Sequence, residues 1–162
     1  MIKLSSAIRF LFVGITVLGI VGCGATRELL DTKTGVNLTF VTSKDLNPDQ
    51  DGRPSPIVIK VFALSDDRQF KREDFLSLYE NPTERLGSDL IETYELKEFS
   101  PDETRDEMIP LTPETRYIGV MAAFVQYDRA DALLILPVTA RKTINYTIKA
   151  ERLRIRDMND NI

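Results

Sequence analysis

The sequence predicts a mainly β fold: a two-sheet antiparallel β-sandwich with a small helical insertion. Three observations carry this reading. Eight short segments show alternating or β-branched apolar residues, the signature of strands. Only one stretch, at about 67–90, switches to helical spacing. Proline, glycine and charged turn residues punctuate the rest. A chain dominated by short strands buries its apolar faces most readily by stacking one sheet on another.

The first strand starts at Val36, where Val36, Leu38 and Phe40 alternate with Asn37 and Thr39. That period of two describes a half-buried strand. A polar stretch of 14 residues, Ser43–Pro56, follows. It is well above the ~2–5 residues usual for a hairpin. Ile57–Leu64 is apolar on both faces and β-branched, so it reads as a central strand. Phe75, Leu76 and Tyr79 share a helical face within Lys71–Glu80, and Asn81-Pro82 ends that helix. Thr83–Leu86 forms a further turn stopped by Gly87. Strand signals resume at Ile91–Phe99, Thr104–Ile109, Arg116–Gln126, Ala132–Val138, Thr143–Ala150 and Leu153–Arg156. The sandwich domain is therefore expected over 36–157, with a polar, frayed end at 158–162. Two sequons, Asn37-Leu38-Thr39 and Asn145-Tyr146-Thr147, read as strand threonines.

The amino-terminal 22 residues have the layout of an export signal, with Lys3 and Arg9 before an uncharged apolar stretch, Phe10–Val21. This stretch is shorter than the ~20 apolar residues of a confident membrane-spanning helix. It ends in Ile20-Val21-Gly22-Cys23, which resembles the bacterial lipobox. In that pattern cleavage before the cysteine is coupled to lipid attachment on Cys23. A plain secretory signal with an unrelated cysteine, or a short anchor helix, fits the same segment. On the lipobox reading, 1–22 is removed and 23–35 is a lipidated tether. Gly24 stands where Asp marks inner-membrane retention in enteric bacteria, which favours the outer membrane, facing the periplasm.

Composition excludes several mechanisms. With no His there is no Ser-His or Cys-His nucleophile pair and no His-ligated zinc. One Cys excludes an intrachain disulfide and a multi-thiolate metal site. The chain carries 21 Lys+Arg against 25 Asp+Glu, and loss of Lys3 and Arg9 would make it more acidic still. Nucleic acid is therefore not an expected partner. The acidic cluster Asp102, Glu103, Asp106 and Glu107 follows Pro101 without aromatic neighbours and reads as solvated charge rather than a catalytic carboxylate pair. No enzymatic activity and no cofactor beyond a covalent lipid on Cys23 are expected.

The long loop is the candidate functional segment: Ser43, Lys44, Asp45, Leu46, Asn47, Pro48, Asp49, Gln50, Asp51, Gly52, Arg53, Pro54, Ser55 and Pro56. Asn47-Pro48-Asp49-Gln50-Asp51-Gly52 matches the first half of a calcium loop, but the bidentate glutamate would fall at Val58. It reads instead as a polar turn. Two prolines stiffen Gly52–Pro56, and a stiffened loop on a rigid scaffold loses little entropy on binding. Asn47, Asp49, Asp51 and Arg53 are the expected polar contacts, with Pro54 and Pro56 setting the shape.

The order of these features resembles the TssJ (VasD/SciN) family of type VI secretion outer-membrane lipoproteins. The matching pieces are the Cys23 lipobox, the Leu38–Thr42 strand leading to Asn47-Pro48-Asp49 and Gly52-Arg53-Pro54-Ser55-Pro56, and then Ile57–Leu64. They continue with Phe75–Tyr79, Leu86-Gly87-Ser88-Asp89-Leu90, Thr115–Val120 and Ala122-Ala123-Phe124. The resemblance implies a transthyretin-like sandwich without enzymatic activity. It also implies binding to the periplasmic carboxy-terminal region of TssM through the 43–56 loop, with TssL joined indirectly in the TssJ-TssL-TssM membrane complex. The family commonly has a tryptophan soon after Ala-Ala-Phe; this chain has none and places Ala132-Leu133 near there. The alternative from another class is a periplasmic ligand-binding or carrier lipoprotein, which needs aromatics converging on a cavity.

Overall fold

The structure, a computed structural model, describes residues 34–159. Cys23 and the signal segment 1–22 lie outside the described residues, as does the tether up to 33.

Each predicted strand is present. β1 (Gly35–Thr42), β4 (Thr104–Pro110), β7 (Thr143–Glu151) and β8 (Arg154–Asp157) form one sheet in the order β4-β1-β7-β8. β2 (Ile59–Leu64), β3 (Leu90–Glu95), β5 (Tyr117–Ala122) and β6 (Leu133–Pro137) form the other in the order β3-β2-β5-β6. The sandwich is not purely antiparallel: β1 and β7 run parallel, with Val36 opposite Ile144 and Thr39 opposite Thr147. All other strand pairs are antiparallel. A parallel neighbour far along the chain leaves no local mark, because either direction presents the same alternation.

Alternation decides which faces are buried. Val36, Leu38 and Phe40 point into the space between the sheets, together with Ile59, Val61, Val120 and Ile148. Phe40 and Phe99 meet there at a centroid distance of 4.8 Å. The outer face of the first sheet is polar: Asn37 donates to Asn145 at 2.8 Å, and Thr39 to Asp106 at 2.6 Å. Both sequon threonines thus lie on strands, as expected.

The second sheet is covered on both faces, which explains the doubly apolar run in β2. Phe62 and Leu64 point away from the inter-sheet core and pack with Phe70, Leu78, Leu86 and Met121 beneath the helical excursion. This excursion is a 3-10 turn (Phe70–Arg72), α1 (Phe75–Glu80), α2 (Pro82–Leu86) and a second 3-10 turn (Gly87–Asp89). α1 starts at Phe75, four residues later than the Lys71 expected, behind the cap Asp74, whose carboxylate accepts the Ser77 N–H at 2.8 Å. The buried member of α1 is Leu78; Leu76 and Tyr79 are 41% and 47% exposed. Pro82 both follows α1 and opens α2, where its missing N–H costs nothing. Gly87 ends α2, as the sequence reading expects, with φ +52°, a backbone conformation that glycine adopts without a Cβ penalty.

Two expected strands stop about four residues short of their predicted ends. β3 stops at Glu95, and Phe99 rejoins only through an isolated bridge to Ile57. β5 stops at Ala122, and the chain turns through a 3-10 segment, Tyr127–Arg129, before β6. At the domain's start, Gly35 already belongs to β1, and Thr34 is buried with its carbonyl accepting the Leu111 N–H at 3.1 Å. At its end, the Met158 N–H still donates to the Thr147 carbonyl at 2.8 Å. Among the described residues no helix is long and apolar enough to cross a membrane.

Candidate partner-binding loop

The loop between β1 and β2 is held by its own hydrogen bonds and by three neighbouring segments. Ser43 N–H donates to the Ala150 carbonyl and Asn47 N–H to the Arg152 carbonyl, fixing the loop to β7 and the turn after it. Leu46 is fully buried in the main core, and Pro48 is buried beside it. Asn47, expected as a partner contact, is only 2% exposed. Its amide donates to the Pro56 carbonyl at 2.7 Å and accepts the Val125 N–H at 2.7 Å. Asn47 therefore closes the loop's base and cannot present its polar atoms to another protein. Its φ of +46° suits asparagine, which visits the left-handed region more readily than most residues.

Above this base sits a tight turn. Gly52 N–H donates to the Asp49 carbonyl at 3.0 Å, and Gly52 itself has φ +80°. Asp49 organises the turn from inside: one carboxylate oxygen accepts the N–H groups of Asp51 and Arg53, each at 2.9 Å. The other accepts Arg53 Nε at 2.9 Å. The Arg53 backbone N–H is the main cause holding the Asp49 carboxyl below its ordinary pKa, because it favours the charged form. Arg53 also reaches Asp51 at 2.7 Å. The carboxylates that suggested half a calcium loop are thus occupied by a guanidinium.

The expected site residues separate into two sets. Leu46, Asn47, Pro48 and Asp49 hold the shape, and Ser55 joins them by donating its hydroxyl to the Asn47 carbonyl. Lys44, Asp45, Gln50, Asp51, Gly52, Arg53, Pro54 and Pro56 are exposed, and 50–54 form the crest. Ser43 is half-buried and donates to Asp45 at 2.7 Å.

Two supporting residues were not legible as such. Val125 supplies the N–H that Asn47 accepts, and Gln126 donates its amide to the carbonyls of Pro48 and Asp49 at 3.0 and 3.2 Å. Both lie in the connection after β5 that the sequence reads as strand. The available signal was the pair of polar and apolar residues beyond Ala122, where alternation fails. Beside this connection Phe75 stacks with both Tyr79 and Tyr127, at centroid distances of 5.6 and 5.3 Å. A surface groove of about 350 Å³, lined by Asn47, Val58, Lys60, Tyr79 and Val125 among others, runs from the loop base toward them.

The acidic cluster has structural uses. Glu103 and Glu107 flank Arg105 at 3.2 and 3.0 Å, and that guanidinium lies over the Phe99 ring at 3.6 Å. Asp102 faces Lys44 at 3.9 Å. The space between the sheets, which a carrier would use, is filled by Phe40, Phe99, Leu38, Ile57 and their neighbours.

Known proteins give a consistent picture. No curated protein matches the chain. Among solved structures it is similar to the type VI secretion lipoprotein TssJ1 from Pseudomonas aeruginosa, at 29% identity and TM-score 0.73. That likeness covers 78% of this chain and 95% of that one. It is similar in fold to Lip from Serratia marcescens, a membrane-bound component of the type VI secretion system, at 24% identity and TM-score 0.72, over 78% and 96% of the two chains. A chain in a structure of the TssM C-terminal domain from EAEC shares the fold at 17% identity and TM-score 0.64, over 77% and 98%. The profile of the type VI secretion lipoproteins VasD, EvfM and TssJ matches residues 34–153, from the entry to β1 through the turn before β8, and by that match the chain belongs to the type VI secretion lipoprotein family.

Proposed function

We propose that this chain is a structural lipoprotein of the type VI secretion membrane complex. Lipid on Cys23 anchors it in the outer membrane, facing the periplasm, and its 43–56 loop binds the periplasmic C-terminal region of TssM. TssL joins the same assembly through TssM, and no catalytic step is involved. The observation that carries this reading is the rigid crest. Residues 50–54 stand exposed on a base fixed by Asn47 and Asp49, so a partner meets a surface that is already ordered. Pre-ordering lowers the entropic cost of association. Family membership supports the partner, as does the presence of a chain of this fold in a structure of a TssM C-terminal domain.

The burial of Leu46 and Asn47 rules out loop shortening as a clean test, since deletion of 45–53 would remove core. Point changes on the crest are the better instrument. Gln50→Ala with Asp51→Arg, on the full chain, should leave the melting temperature unchanged and weaken binding to the purified TssM C-terminal region by tenfold or more in calorimetry. Wild-type affinity in that variant would place the contact elsewhere. Cys23→Ser should abolish acylation; normal outer-membrane fractionation of that variant would refute the anchor.

A further inference from the structure

The pole of the sandwich where the described chain begins carries basic side chains that no carboxylate among the described residues pairs. Thr34 and Gly35 enter β1 beside the turn joining β6 to β7. The Arg141 N–H donates to Thr34 Oγ1 at 2.8 Å, and the Gly35 N–H to the Lys142 carbonyl at 3.3 Å. Arg141 takes φ +58°, and both Arg141 and Lys142 are exposed. Arg116, also exposed, stands at the root of the same turn, where its carbonyl accepts the Val138 N–H at 2.7 Å.

Elsewhere most basic side chains are matched. Arg53, Lys60, Arg68, Lys71, Arg105 and Arg154, for example, each face a carboxylate. Arg116, Arg141 and Lys142 form no ion pair among the described residues. On a chain with net charge −4, three exposed cations without an ion pair among the described residues outnumber the one such carboxylate of the neighbouring turn, Glu114, and leave this pole locally positive. The opposite pole carries the 43–56 loop: β1 spans 8 residues between them, about 26 Å at ~3.3 Å per residue.

We infer that Arg116, Arg141 and Lys142 contact the phosphates of anionic phospholipids in the membrane that holds the anchor, standing the sandwich upright with the loop crest turned away. This rests on the Cys23 anchor reading. Thr34, the first described residue, follows Cys23 by 11 positions, so on the anchor reading this pole is the end of the sandwich nearest along the chain to the lipid. Attachment through Cys23 raises the local concentration of this pole at the membrane surface, so even a weak second contact there orients the sandwich. Each basic residue near an anionic surface contributes ~1 kcal/mol, so three give a bias of roughly 100-fold toward the upright orientation. Added salt weakens it by screening.

The test uses the full acylated chain, in which lipid occupies Cys23, with Thr139→Cys labelled by a fluorophore. The protein is reconstituted into phosphatidylcholine vesicles with and without phosphatidylglycerol, each containing headgroup spin-labelled lipid. Quenching of the label should be strong on the phosphatidylglycerol vesicles, weak on phosphatidylcholine alone, and reduced by salt. Arg116→Gln with Lys142→Gln keeps the turn backbone and should shift the oriented population by roughly 30-fold. Equal quenching on both compositions, or wild-type quenching in that variant, overturns the inference while leaving the anchor intact. Failure of the protein to float with either vesicle refutes the anchor, and the inference with it.

Discussion

Asn47 Oδ1 accepts the Val125 N–H at 2.7 Å, so the candidate binding loop and the connection after β5 share a hydrogen bond at the loop's base. The same amide donates to Pro56, which makes one side chain the junction of both loop ends and a distant segment. Asn47→Ala removes an acceptor and a donor together and leaves the Val125 N–H and Pro56 C=O without partners. The expected loss is about 1–3 kcal/mol of stability, read as a lower denaturant midpoint with an unchanged slope. An unaltered midpoint would mean the loop is not held this way. Binding should fall as well, in contrast to crest variants, which lose binding and keep stability.

The turn above it should respond to acid. Hydrogen bonding from the Arg53 backbone N–H lowers the folded-state pKa of Asp49 below its ordinary 3.8. A lowered pKa means the turn's stabilisation is complete above 3.8 and is lost as pH falls through the lower folded value. The amide resonances of Asp51 and Arg53, followed by NMR on acidification, should hold their positions down to 3.8 and move only below it. Asp49→Ala should show the displaced positions already at neutral pH. Movement of the wild-type resonances well above 3.8 would contradict the geometry.

How much of this was legible in sequence depends on the range of the interaction. β1 was readable because Val36, Leu38 and Phe40 alternate, and β2 because Phe62 and Leu64 add a second apolar face for the helical excursion. The parallel partnership of β1 with β7 was not, since it joins segments about a hundred residues apart. Helical spacing alone groups Phe75, Leu76 and Tyr79 on one face, whereas tertiary packing buries Leu78. The burial of Asn47 is hidden from the sequence for a related reason. A polar residue among turn residues reads as solvent-facing, and only the distant Val125 and the nearby Pro56 carbonyl make its burial affordable. The exposed crest residues Asp51 and Arg53 were legible because their turn is local.

Gly119 offers a packing test. A Cβ at this position would lie 2.4 Å from Phe70 Cε2, so the absence of a side chain on β5 lets Phe70 lie flat on the sheet. Gly119→Ala should destabilise the domain by about 1–3 kcal/mol through overpacking, read as a fall in melting temperature. Phe70→Leu gives the Cβ room, at the cost of lost contacts with Phe62, 6.0 Å away. The double variant should therefore be less destabilised than the sum of the two single changes. Strict additivity would show that the contact does not limit packing.

The alkaline limit should depend on Tyr94. Its hydroxyl lies 2.6 Å from a Glu92 carboxylate oxygen and 2.7 Å from the Pro110 carbonyl, linking β3 of one sheet to the end of β4 in the other. Tyr146 makes the matching link across the opposite side of the sandwich, to the Pro137 carbonyl at 2.8 Å. Burial, reinforced by the hydrogen bond and negative charge of Glu92, pushes the Tyr94 pKa up to about 12. Because the folded value exceeds the ordinary 10.0, its stabilising contribution is full below 10.0 and is lost as pH rises through about 12. Burial and the Asp157 carboxylate raise Tyr146 in the same direction, so Tyr94→Phe should flatten the alkaline decline in stability without abolishing it. Denaturant unfolding measured across that range provides the check: a decline as steep in Tyr94→Phe as in the wild type would remove Tyr94 from the account and place the alkaline sensitivity on other groups.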